Sequence, residues 1–128
     1  MKNLLYLGII LMLASCGSNE STVNVNGREV STVKIGNLEV MTEDLGEMDW
    51  DEAMKACADL GDGWRLPTKD ELNVLCENKD KIGGFALRYY WSSKEYGSFG
   101  AWLQGFNLGN QYPNGKGSGG YVRAVRDI

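Results

Sequence analysis

Three cysteines and no histidine set the reactive chemistry open to this 128-residue chain. Without histidine, Ser–His–Asp and Cys–His catalysis lack their usual general base, and the commonest metal ligand is missing. Cys16 differs from the other two because it directly follows an unbroken apolar run, Leu4 to Leu13, itself preceded by Lys2. That pattern reads as a secretion signal, and the run is shorter than the roughly 20 residues a membrane-spanning helix needs. Leu13-Ala14-Ser15-Cys16 then matches a lipoprotein box, in which the cysteine thiol carries a diacylglycerol. Cys57 and Cys76 remain. In an exported protein they can form one disulfide, or they can pack as two small apolar thiols. Two cysteines without histidine do not complete a tetrahedral zinc site, so neither a metal nor another cofactor is expected.

Non-covalent chemistry is concentrated in the glycine-rich C-terminal half. Tyr96, Phe99, Asn110, Gln111, Tyr112, Asn114 and Lys116 fall in predicted loops. Aromatic faces stack on sugar rings or apolar side chains, and Asn and Gln amides offer a donor and an acceptor together. These seven residues are the candidate ligand-binding set. Gln111-Tyr112-Pro113-Asn114 superficially echoes a calcium-binding lectin loop, but the acids that would supply oxygen ligands are absent around it. Arg65, beside Trp64, is expected to pair with a carboxylate or carbonyl oxygens.

Charge is unevenly spread. The chain has 13 Lys+Arg against 17 Asp+Glu, and the acids cluster between Glu39 and Asp80. Lys81, Arg88, Lys94, Lys116, Arg123 and Arg126 face only Glu95 and Asp127 in the remainder. There is no basic stripe, so nucleic acid is not an expected partner.

The elements that position these residues follow from local rules. Asn26-Gly27 and Gly36-Asn37 sit between alternating runs and predict hairpins. Asp49 with Glu52 forms a capping box, after which Trp50, Ala53, Met54, Cys57 and Leu60 recur at helical spacing. Gly61 and Gly63 end that helix, Pro67 fixes an extended entry, and Thr68 with Glu71 caps a second helix to about Asn78. Leu72, Leu75 and Cys76 form its inward face. Strands are expected at Tyr89–Ser93, Ala101–Leu108 and Tyr121–Arg126, with Gly109 to Gly120 reading as turn throughout. The predicted organisation is a signal peptide over residues 1–15, a lipidated tether over 16–32 carrying a small hairpin, and one α+β domain over 33–128.

Several motifs recur in a known order. Val33 to Asn37 followed by Met41-Thr42-Glu43-Asp44-Leu45 resembles the opening of the Fibrobacter succinogenes major paralogous domain family. Val40 stands where that pattern has Trp, and Asp44 where it has Asn. Trp50 to Ala53, Cys57, Gly63-Trp64-Arg65-Leu66-Pro67-Thr68, Glu71-Leu72, Trp91-Ser92-Ser93, Ala101-Trp102 and Val122 to Arg126 are similar both to that family and to the C-terminal domain of a Legionella collagen-like adhesin. The resemblance implies a C-type-lectin-like fold: two short helices on a small twisted antiparallel sheet with a long Gly-rich loop region. It also implies a non-catalytic recognition module for a glycan, sulfated glycans in the adhesin, or for a cell-surface protein. The alternative is a structural or accessory lipoprotein of a surface complex. Formylglycine-generating oxidases share a related fold and use a close cysteine pair with copper. An enzyme of that type is a distant third reading, since Cys57 and Cys76 are expected on helices.

Gly17, rather than an acidic residue, follows Cys16 and favours the outer membrane as the destination. Cys16→Ser is expected to abolish incorporation of labelled fatty acid and leave the unprocessed precursor, read by metabolic labelling and electrophoretic mobility.

Overall fold

A computed structural model describes residues 20–128. The predicted signal peptide and Cys16 lie outside the described residues. The fold is α+β, with short helices and two sheets. Strands β1 (Glu20–Val25), β2 (Arg28–Ile35) and β3 (Leu38–Met41) form successive hairpins. Asn26 and Gly27, at φ 52° and 82°, make the first turn, and Gly36, at φ 58°, begins the second. Positive φ at these positions matches the right-handed twist of the flanking strands. The hairpin expected at Asn26-Gly27 within residues 16–32 is formed, with β1 paired to β2 from Glu20↔Val33 to Val25↔Arg28, and its Val25 is buried. The sheet therefore takes in the first hairpin, because its alternating valines have a core to cover.

Strand β4 (Gly46–Met48) leads into helix α1 (Trp50–Ala58), and α2 (Lys69–Glu77) follows the Gly61–Thr68 junction. Both expected capping boxes are formed, Asp49 with Glu52 and Thr68 with Glu71. A further turn, α3 (Lys79–Ile82), was not legible in the sequence. It buries Ile82 and continues almost directly from α2. Met54, expected inward, is exposed.

Strands β5 (Tyr89–Tyr96), β6 (Gly100–Gly105), β7 (Gln111–Gly115) and β8 (Gly120–Val122) join β4 in a five-stranded sheet of order β4-β8-β5-β6-β7. Strand β9 (Val125–Asp127) leaves it and pairs with β3, giving the other sheet the order β1-β2-β3-β9. The single strand expected over Tyr121–Arg126 is thus two strands in two sheets, divided at Arg123-Ala124. Strand β7 lies inside the stretch read as turn. Pro113 lacks an N–H, and a strand containing it is tolerated here because β7 is the edge of its sheet. The expected strand Ala101–Leu108 ends at Gly105; Phe106 turns into the core and Leu108 is exposed.

Adjacent residues of β5 point to opposite faces, as a pleated strand requires. Trp91 enters one buried cluster with Trp50, Ala53 and Cys57 of α1. Tyr90 enters a second with Leu72, Leu75 and Cys76 of α2. The two helices consequently cover opposite faces of the same sheet. Cys57 and Cys76 are free thiols in these separate clusters, and no bridge joins them.

Arg123 sits where the chain changes sheets. Its side chain is fully buried and its Nε donates to Asp44 Oδ1 at 2.9 Å. Nη1 donates to the carbonyls of Met41 and Gly83 at 2.9 and 3.0 Å, and the guanidinium lies 3.8 Å from the Phe85 ring centre. Tyr90 Oη donates to the other Asp44 oxygen at 2.7 Å. Gly84 is required beside this cluster: at φ +75°, a Cβ there would lie 2.1 Å from the Thr42 carbonyl oxygen. Removing one partner of a buried ion pair leaves an uncompensated charge. Asp44→Ala is expected to lower unfolding free energy by about 3–5 kcal/mol, measured by urea denaturation.

Candidate functional site

The connection between β5 and β6, Gly97-Ser98-Phe99, forms a narrow tip with Gly97 at φ +66°. Phe99 is 87% exposed and Tyr96 56% exposed. The Tyr96 ring meets Trp102 edge-on at 5.5 Å. Together with Pro113 and Asn114 of β7, these aromatics line an open, predominantly apolar cleft of about 410 Å³. Tyr96, Phe99 and Asn114, separated in the sequence, are thus brought to one place. The Asn114 Oδ1 accepts from the Gly115 N–H at 2.8 Å, which fixes the amide at the cleft edge.

Lys116 lies below the cleft as a clamp. Its side chain is only 19% exposed, and Nζ donates to Glu95 Oε2 at 2.6 Å and to the Ser98 carbonyl at 3.0 Å. The ammonium lies 4.7 Å from the centre of the Trp50 ring. Its backbone accepts from Trp50 N–H and donates to the Phe99 carbonyl. The charge is compensated internally, so Lys116 holds the tip to the start of α1 and does not present a free cation to a ligand.

The other three predicted residues lie at the opposite end of β7. Gln111 Nε2 donates to the Lys69 carbonyl at 2.8 Å and to Gln104 Oε1 at 3.0 Å; Gln104 in turn donates to Asn73 Oδ1. This amide chain ties the edge strand to α2 and leaves Gln111 little capacity for a ligand. Tyr112 packs edge-on to Tyr89 at 5.2 Å, and Asn110 is exposed. The predicted set therefore divides between the two ends of the sheet.

Sequence reasoning missed a second concave region. Where β5 and β8 begin, Glu47, Leu87, Arg88, Tyr89, Asn107 and Tyr121 line a groove of about 370 Å³. Only Leu87, Arg88 and Tyr89 are neighbours in sequence, so no spacing pattern signals it. A more enclosed cavity of about 290 Å³ lies below the first hairpin, over Val25, Val30, Met41, Leu45 and Leu60. Its polar rim is already engaged, with Asp44 held by Arg123 and Arg28 lying 3.6 Å from Glu43.

Arg65 is structural. It makes a two-pronged contact with Glu71, at 2.7 and 3.1 Å, and a third with Asp127 at 2.8 Å. Burial pushes the Glu71 carboxyl up, but the Arg65 and Thr68 hydrogen bonds outweigh it and leave the group below its ordinary range. Glu39 behaves alike: hydrogen bonds from Arg126 and Thr32 overcome the burial that raises it. Arg123 and Arg126 each have a carboxylate partner, Asp44 and Glu39. Among the described residues no group of three or more His, Cys, Asp or Glu is arranged to hold a metal ion.

Residues 19–126 match the family model of the Lcl C-terminal domain. The chain belongs to this family. The match agrees with the resemblance to the collagen-like adhesin's C-terminal domain and takes in the β1–β2 hairpin. No curated protein matches the chain. Among solved structures, it resembles a chain of the complex between a mutant von Willebrand factor A1 domain and botrocetin. The TM-score is 0.54 at 10% identity, covering 76% of this chain and 96% of that one. At that identity the likeness concerns the fold alone.

Burial pushes the Cys57 thiol up to about 12 and raises Cys76 as well. A thiol reacts as thiolate, so the folded protein at neutral pH is expected to leave Cys57 unmodified by iodoacetamide. Unfolding in guanidinium should expose it to rapid alkylation, with mass spectrometry of peptides reading both states. Modification of Cys57 in the folded protein would contradict the buried placement.

Proposed function

We propose that the domain is a non-catalytic recognition module of the cell envelope, held to the membrane by lipid on Cys16. The exposed aromatic tip carries this reading. Phe99 and Tyr96 stand in water beside Pro113 and Asn114, over a backbone fixed by the Lys116 clamp. Exposing a phenylalanine at 87% leaves apolar area hydrated, and a partner can remove it from water. Such an aromatic, seated in a shaped surface, has the character of a binding hot spot. Family membership supports an adhesin-like surface role. The order of capped helices, antiparallel sheet and long loops supports placing the domain among C-type-lectin-like folds.

No helix among the described residues is long and apolar enough to cross a membrane, so the anchor in this reading is the acyl chains. An outer-membrane destination follows from Gly17. Catalysis through the two remaining cysteines is disfavoured by their burial in separate clusters, which gives substrate no thiol pair to meet.

The ligand class at the tip is a glycan or a protein. The predominantly apolar lining and the internally paired Lys116 favour a protein, and so also an accessory role within a surface complex. The decisive experiment screens the chain against immobilised envelope proteins and against neutral and sulfated glycans. Phe99→Ser should weaken the captured ligand by about tenfold or more while the melting temperature stays unchanged. Equal binding by wild type and Phe99→Ser would remove the tip from the binding surface.

A further inference from the structure

The groove at the far end of the sheet has polar groups that the fold itself does not use. Arg28, Arg65, Arg123 and Arg126 each have a carboxylate partner. Arg88 has no such partner among the described residues, and it is exposed at the groove. Glu47 is likewise exposed there and makes no ion pair among the described residues. The two come from opposite sides of β8, since Glu47 lies on β4, Arg88 directly precedes β5, and β8 runs between those strands. Tyr121 on β8 is the cross-strand partner of Glu47.

One wall is shaped by a missing side chain. A Cβ on Gly119 would lie 3.3 Å from Glu47 Oε2, so alanine there would press on the carboxylate.

We propose that this groove is a saccharide subsite that takes a neutral sugar unit, a second contact that rests on the recognition reading above. A carboxylate only accepts hydrogen bonds and a guanidinium only donates them. A sugar hydroxyl does both, so neighbouring hydroxyls satisfy Glu47 and Arg88 together. A ligand of either net charge would meet one of the two with like sign. Tyr121, on the same face of the sheet as its cross-strand partner Glu47, supplies apolar ring surface for the C–H face of a pyranose, and the Asn107 amide adds a donor and an acceptor. The volume, about 370 Å³, is at the small end of ligand pockets and suits one or two sugar units. This subsite and the aromatic tip lie at opposite ends of the eight-residue β5, about 25 Å apart at the usual rise per residue. One extended ligand, or two separate ones, can therefore engage the domain.

Calorimetric titration of the full chain, held in a sugar-free detergent, tests this with a panel of neutral methyl glycosides and disaccharides. At least one should bind. Its affinity should change less than about twofold between low and high salt, because no net charge is exchanged. Glu47→Ala and Arg88→Ala should each weaken it by about tenfold or more, whereas Phe99→Ser should leave it unchanged. Both charged side chains are exposed, so neither truncation threatens the fold, and unchanged thermal melts verify this. Absence of binding by any neutral saccharide overturns the proposal, as does binding that survives both truncations. Binding confined to acidic or sulfated sugars, with steep salt dependence, also overturns it. None of these outcomes depends on Phe99, so the tip reading stands or falls separately.

Discussion

The buried pairing of Arg123 with Asp44 is the contact on which the two-sheet arrangement depends. The chain leaves the five-stranded sheet after Val122 and enters the four-stranded one at Val125. A chain switching sheets inside a core strands backbone carbonyls that strand pairing would otherwise satisfy. Here backbone groups answer those carbonyls, Leu45 N–H at Val122 and Met41 N–H at Ala124, while the Arg123 guanidinium donates to the carbonyls of Met41 and Gly83 and Asp44 compensates its charge. Tyr90 then joins through Asp44, and the Ala86 N–H donates to the Tyr90 hydroxyl. One cation thereby fixes the end of β3, the loop after α3, and the start of the central strand β5. A lysine would offer neither the planar fork nor the stacking on Phe85.

That fixed frame explains why candidate recognition surfaces gather at the ends of the larger sheet. Its faces are occupied: α1 covers one and α2 the other. Its edge strand β7 is tied to α2 through the Gln111–Gln104–Asn73 amides and carries a proline that discourages further strand pairing. What remains open are the turns. At one end Lys116 holds an aromatic tip against Trp50; at the other, Gly119 leaves room for the Glu47 carboxylate beside the groove. Rigid support beneath mobile-looking loop sequence matters for binding, because a surface already ordered loses less entropy on association.

The arrangement also separates the thiols from the solvent-facing ends of the sheet. The described thiols are inside, where burial suppresses the thiolate. The groups facing solvent at the two sheet ends include the Tyr96 and Phe99 rings, the Asn110 amide, Glu47 and Arg88.

The sequence by itself determined the local structure: both capping boxes, the Asn26-Gly27 and Gly36-Asn37 turns, the inward faces of the helices apart from Met54, and the order of motifs that marks the family. These depend on neighbours three or four residues apart, so they are legible without the fold. It also pointed to Tyr96, Phe99 and Asn114, because exposed aromatics and amides in glycine-rich connections stand out by composition. Only the tertiary structure decided which residues meet. It drew Lys116 inward to Glu95, spent the Gln111 amide on Gln104, divided Tyr121–Arg126 between two sheets, and kept Cys57 from Cys76. It alone assembled Glu47, Arg88, Asn107 and Tyr121 around one groove. Their partners lie from seven to several tens of residues away, and such pairing is set by strand order and packing, to which local propensity is blind.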